Sequence, residues 1–401
     1  MSKSPKASLS VLLGLGAICL PLLAGCSSTP AAKPPHTGPP VQSQLAELKG
    51  ADLVASDVFG TSAALSGTTA VVGTAGTSYE GRAYVFTETA SGWVQTAELK
   101  GSDTVAQDAF GSSVAISGTT IVVGAYDHAK EAGRAYVFEK EASGWKQVAE
   151  LKGSDTVASD DFGWSVAVSG TTVVVGAVAH AKYAGRTYVF TKTASGWVQT
   201  AELKGSDTVS KDGFGTSVGI SGGTAVVGAE AHDNGTGAVY VFSHTASGWE
   251  QVAELKGYLA SDNFGSSVAI SGANVVVGAP GALGVGTRVG RAYVFTDTSG
   301  GWTQVAELKG SDTAAGDFFG ISASISGTTV VVGAYDHAKE AGRAYVFEKK
   351  ASGWKETAEL KGSDIVADNL FGISASISGT FALVGAEGRA GFAGRAYVFK
   401  V

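Results

Sequence analysis

From Gln44 onward the apolar residues fall in short runs separated by Gly, Ser, Thr and Asp, a period too short and too often interrupted for amphipathic helices. The stretch Phe110 to Gly153 holds four such runs. The first, Phe110-Gly-Ser-Ser-Val-Ala-Ile, sets small residues around Val114 and Ile116, as a strand does where space is tight. After Ser117-Gly118-Thr119-Thr120 comes Ile121-Val-Val-Gly-Ala125, apolar at consecutive positions and so predicted to be covered on both faces. Ala135-Tyr-Val-Phe138 forms a third run. The fourth, Trp145 to Lys152, puts Trp145, Gln147, Ala149 and Leu151 on one side and Lys146, Val148, Glu150 and Lys152 on the other, which suits an outer strand half in water. The unit is predicted to be one small antiparallel sheet of four strands.

This unit recurs. Phe-Gly stands at Phe59, Phe110, Phe162, Phe214, Phe264, Phe319 and Phe371, every 50 to 55 residues. Four-stranded units of that length fit propeller blades, whereas a coil of a parallel β-helix needs about half as many residues. The expected fold is all-β, a seven-bladed β-propeller over residues 44–401. Its ends supply a separate argument: only a fourth strand, Gln44 to Lys49, precedes Phe59, and the last unit stops after its third, Ala396 to Phe399. The N-terminal strand is therefore expected to complete the last blade and hide two sheet edges.

The first 43 residues follow another pattern. Lys3 and Lys6 precede an apolar run from Leu9 to Leu23, which ends in Leu23-Ala24-Gly25-Cys26. That order resembles a bacterial lipoprotein signal over residues 1–25, with lipid attached at Cys26 and the membrane as partner. Ser27 stands where aspartate is associated with inner-membrane retention, so the outer membrane is expected. Residues 26–43 read as a proline-rich tether. Cys19 falls in the removed segment and Cys26 is consumed by lipid, so no thiol is left for a disulfide. A net charge of -7 and a pI near 5.4 exclude nucleic acid as a partner.

With Phe110-Gly111, Gly124-Ala125 and Gly133-Arg-Ala-Tyr-Val-Phe138 in view, the repeat resembles the FG-GAP family, which builds the propeller of integrin α subunits. Only Gly278-Ala279-Pro280 spells the full glycine-alanine-proline signature. Calcium-binding members carry an aspartate-rich loop between the first and second strands. Here that place holds Ser117–Thr120, Ser169–Thr172 and Ser326–Thr329, without a carboxylate, while calcium takes about six to eight oxygen ligands. Family-type calcium binding is not carried over, and no cofactor is expected. The resemblance also implies that the second-to-third-strand loops and the fourth-to-first-strand loops share one face, which contributes to ligand binding in integrins.

Several residues recur with the repeat. An aspartate stands two residues before the phenylalanine at Asp57, Asp108, Asp160, Asp212, Asp262 and Asp317, with Asn369 in the last unit, and a turn-capping role is expected. Arg82, Arg134, Arg186, Arg291, Arg343 and Arg395 precede the third strand, with Ala238 in the odd unit, and are expected to pair with a carboxylate or stack on an aromatic. Histidines fall 18 residues after the phenylalanine at His128, His180, His232 and His337. The first three belong to adjacent blades and are the candidate metal ligands if they converge, although solvated loop tips are the favoured reading. Gly215-Thr-Ser217-Val-Gly219 fits a nucleophilic-serine pattern but lies inside a first strand, not at a strand-turn-helix elbow. No catalytic set emerges, so an enzyme is not expected. Symmetry breaks around the fifth unit, making Tyr258, Leu259, Leu283, Val285 and Arg288 the candidate ligand-binding patch. The expected function is a lipid-anchored recognition or adhesion module. An envelope scaffold and a carbohydrate-active propeller enzyme are the alternatives.

Overall fold

In the computed structural model the described residues are 38–76, 81–257, 260–281 and 289–401. They form seven antiparallel sheets of the expected kind. In the second blade the strands are Ser113–Ser117, Thr120–Ala125, Arg134–Glu141 and Gly144–Leu151, paired in that order. Ser117 pairs with Thr120, leaving a two-residue turn with Gly118 at φ +56°; glycine at the first central position allows a turn whose twist matches the strands. The third strand is longer than its apolar core, because the hairpin to the fourth strand carries pairing out to Glu141 and Gly144. On the fourth strand Trp145, Gln147, Ala149 and Leu151 face inward as expected, and a bulge at Val148 leaves that side chain in solvent.

Blades are joined by close backbone approach and by aromatic packing. A Cβ on Gly124 would sit 2.1 Å from the Gly163 carbonyl oxygen of the next blade, so only glycine fits. The Ser113 hydroxyl donates to that same carbonyl at 2.8 Å. Equivalent bonds run from Ser62, Ser165, Ser217, Ser267 and Ser322, and Ser374 closes the circle on Gly60 at 2.7 Å. Ser217, the serine of the nucleophile-like pattern, thus serves as one member of this ring of interblade bonds. Phe110, fully buried, packs its edge on Tyr136 and Phe138 of its own blade with ring centroids 5.5 and 6.2 Å away.

The seventh blade consists of Phe371–Ser378, Phe381–Ala386, Arg395–Lys400 and, as expected, the N-terminal Gln44–Leu48. Gln44 pairs with Phe399 and Leu48 with Ala396. Beyond what the pattern foretold, Val41–Gln42 adds a fifth, parallel strand to the sixth blade, opposite Glu359 and Leu360, and the Glu359 N–H donates to Pro40 at 3.1 Å.

Candidate functional site

One end of each sheet carries the tight turns between strands one and two and between three and four. The other end carries the longer loops, and consecutive blades meet there through main-chain bonds. Residues His128–Glu131 form a single turn with left-handed geometry at Ala129, Lys130 and Glu131, a conformation that costs L-residues energy. It is held from the next blade, where the N–H groups of Ser159, Asp161 and Phe162 donate to Lys130, Glu131 and Ala132 at 3.1, 2.8 and 3.3 Å. The two loop sets therefore share one face, as the resemblance implied.

On that face the recurring polar residues are engaged with one another. Asp57, Asp108, Asp160, Asp212 and Asp317 accept the N–H three residues upstream at 2.7–2.8 Å, and Asn369 does the same for Val366. They are turn caps, as expected. His128 Nδ1 lies 2.8 Å from the same Asp108 Oδ2 that accepts the Val105 N–H, while Nε2 lies 3.6 Å from Asp103. Asp103 in turn accepts the Tyr136 hydroxyl at 2.8 Å. His180, His232 and His337 repeat the arrangement with Asp155, Asp207 and Asp312. In the seventh blade Arg389 takes the histidine's place on Asp364 at 3.0 Å, and with the Tyr397 hydroxyl it outweighs burial and holds that carboxyl below the ordinary range. Sequence reasoning overlooked these second aspartates, although Lys-Gly-Ser-Asp recurs in plain view.

The arginines before the third strand pair across to the glutamate of the fourth: Arg82–Glu98 at 2.6 Å, Arg134–Glu150 at 2.7 Å, Arg186–Glu202 at 2.8 Å, and Arg395–Glu47 at 2.8 Å across the closure. Among the described residues, the groups close enough to share a cation are Asp103, His128 and Glu150, and Asp207, His232 and Glu254. Each draws on one blade. His128, His180 and His232 stand on their own blades, each with Nδ1 taken by its capping aspartate. The remaining candidates, Cys26 and the patch Tyr258, Leu259, Leu283, Val285 and Arg288, lie outside the described residues.

What distinguishes the blades is a small set of positions on the loop face. The residue before the phenylalanine is Val58, Ala109, Asp161, Gly213, Asn263, Phe318 or Leu370, and it has positive φ in every blade, Val58 at +51° included. A β-branched or bulky residue there runs against local preference, a departure that concentrates at functional sites. The residue two after the phenylalanine and the one following the second strand vary as widely, and they meet between blades. Tyr126 lies 4.9 Å from Trp164, ring to ring and tilted by 56°. Glu230 accepts the Ser266 hydroxyl at 2.6 Å, and Glu387 accepts a bond from Thr61. Burial pushes the Glu387 carboxyl up despite that bond. Phe318 and Tyr335 stack at 5.4 Å, nearly parallel. Burial, followed by the carboxylates of Asp127, Asp161 and Glu131, pushes the Tyr126 phenol up to about 12.

A solved structure described as the crystal structure of a mitotic checkpoint complex contains a chain similar to this one in fold, with a TM-score of 0.58 at 14% identity over 95% of this chain and 99% of that one. A search of curated proteins finds no match to the sequence. The FG-GAP repeat family matches seven times, at residues 43–86, 93–138, 145–190, 197–242, 249–295, 302–347 and 354–399. The chain belongs to the FG-GAP repeat family, whose propellers serve in general as binding or adhesion modules.

Proposed function

We propose that the chain is a bacterial lipoprotein, anchored at the outer membrane through Cys26, whose propeller recognises a protein, peptide or glycan through its loop face and catalyses no reaction. The observation that carries this reading is the contrast among blades. Residues that hold the repeat together recur almost unchanged, while the residues before and after the Phe-Gly and at the end of the second strand differ from blade to blade on one face. A scaffold has no need of such differences, and they supply a recognition surface with unlike neighbours. The anchor rests on the order of charge, apolar run and Cys26 in the sequence.

The experiment is retention of envelope components on the immobilised propeller, followed by cross-linking of what is retained. Cross-links are expected on the loop face. Contacts confined to the tight-turn face or the rim would overturn the reading, and retention of nothing would favour a scaffold. Lipidation is tested separately: labelled fatty acid is expected on the parent protein and not on Cys26→Ser.

A further inference from the structure

We propose that the junction of the second and third blades binds a basic side chain, lysine or arginine, presented by a partner polypeptide; this rests on the recognition reading above and names its ligand chemistry. Tyr126 follows the second strand of one blade, and Trp164 follows the Phe-Gly of the next. Their rings touch at 4.9 Å, and the indole is 40% exposed. Three acidic residues belong to the turns that carry the pair: Asp127 adjoins Tyr126, the Asp161 carbonyl accepts the Trp164 N–H at 3.1 Å, and the Glu131 main-chain carbonyl accepts the Asp161 N–H at 2.8 Å. After burial, the charge of all three raises the Tyr126 phenol.

The molecule contains its own control. The stretch Gly124 to Lys140 recurs identically as Gly333 to Lys349, so Tyr335 and Asp336 repeat Tyr126 and Asp127. There the following blade supplies Leu370 and Ile373 where the second-to-third junction has Asp161 and Trp164. The exposed indole and the added carboxylate are therefore features of one junction, not requirements of the loop. At the residue before the phenylalanine, the one two after it and the two that follow the second strand, the charged residues around the ring are Asp127, Asp161, Glu230, Asp336 and Glu387, without a lysine or arginine. A cation over an indole face gains from the ring quadrupole and from the carboxylates together. A neutral group gains only from the ring, and an anion is repelled. Because Trp164 stands on an open face, a small free amine would bury little surface, whereas a polypeptide laid across the loops adds contacts on both sides.

The test titrates the full chain with blocked tetralysine, tetra-arginine and tetraserine peptides, and with butylammonium and guanidinium ions. The basic peptides are expected to bind, tetraserine and the small ions much more weakly. Trp164→Ile and Asp161→Leu carry residues that the seventh blade already accommodates at these positions, and each is expected to weaken peptide binding about fivefold or more. Tyr335→Val, which introduces the third blade's residue, is expected to leave binding unchanged. The proposal is overturned if neither basic peptide binds, if Trp164→Ile binds them as tightly as the parent, or if the small ions bind as well as the peptides. Failure of the peptides while the immobilised propeller still retains an envelope component on its loop face removes this site and leaves the recognition reading intact.

Discussion

At the scale of single residues, the loop-face polar groups act as coupled units. In four blades the capping aspartate, Asp108, Asp160, Asp212 or Asp317, holds a turn and orients a histidine, and that histidine faces a second aspartate already bonded to a buried tyrosine. Removing His128 leaves the buried Asp108 Oδ2 with the Val105 N–H but without its imidazole partner, so His128→Ala is expected to cost about 1–2 kcal/mol in urea unfolding. His180→Arg copies the Arg389 solution of the seventh blade and is expected to be close to neutral. The tyrosines give a pH signature. Burial first, then the bond to aspartate, raises the phenols of Tyr84, Tyr136, Tyr188, Tyr240, Tyr345 and Tyr397 far above the ordinary 10.0. A group raised in the folded state contributes stability that is complete below its unfolded pKa and is lost as pH rises through the folded value. Stability is therefore expected to fall above pH 10, about where unfolded tyrosines ionise. Absorbance at the phenolate band should show these six titrating only together with unfolding, and independent titration in the folded chain would contradict their burial. In sequence the caps were legible because the turn they hold lies three residues away, while the arginines were open between a carboxylate and an aromatic until the paired strands set each opposite its glutamate. The tyrosine–aspartate bond was not, since it joins residues 33 apart that only the folded blade brings together.

At the scale of strands and blades, the pattern of small and apolar positions was legible because each strand has one tolerable environment. Consecutive valines in the second strand fit only a strand covered on both faces, and Val122 and Val123 are fully buried. Gly124 was visible as a recurring residue, but its reason lies in the neighbouring blade. Gly124→Ala drives a Cβ onto the Gly163 carbonyl and is expected to cost several times more than Gly118→Ala, where open space leaves only the backbone penalty of about 1 kcal/mol. Equal losses in thermal unfolding would show that the blades approach less closely than described. The left-handed turns were not legible. Ala129, Lys130 and Glu131 carry no local preference for that geometry, which is imposed by main-chain bonds from the next blade. Val41–Gln42 escaped notice for a related reason: two residues in a proline-rich segment carry no strand pattern, and the exposed edge of the sixth blade supplies the pairing.

At the scale of the molecule, closure is the feature on which the others depend. Repeat arrays without closure lose end units at modest cost, because each unit contacts only its neighbours. Here the first and last strands of the propeller share a sheet, and the N-terminal strand makes the bonds that a fourth strand makes in the other blades. Ser374 donates to Gly60, Arg395 pairs with Glu47, and the Ser363 N–H donates to Gln44 at 2.8 Å. Leu48, 1% exposed, packs with Tyr84 and Val398 in the core between the seventh and first blades. Leu48→Ala is accordingly expected to cost about 2–4 kcal/mol. Two truncations separate closure from mere edge covering. Starting the propeller at Ser43 removes the fifth strand of the sixth blade, bares the edge at Glu359 and Leu360, and is expected to change the melting temperature by a few degrees at most. Starting it at Lys49 removes the closing strand, bares the Arg395–Lys400 edge and opens the Leu48 core, so the melting transition should fall much further and broaden as blades lose their common cooperativity. If the two truncated proteins melted alike, the ring would be held by its other six junctions, and the N-terminal strand would be an accessory to the fold and not its clasp.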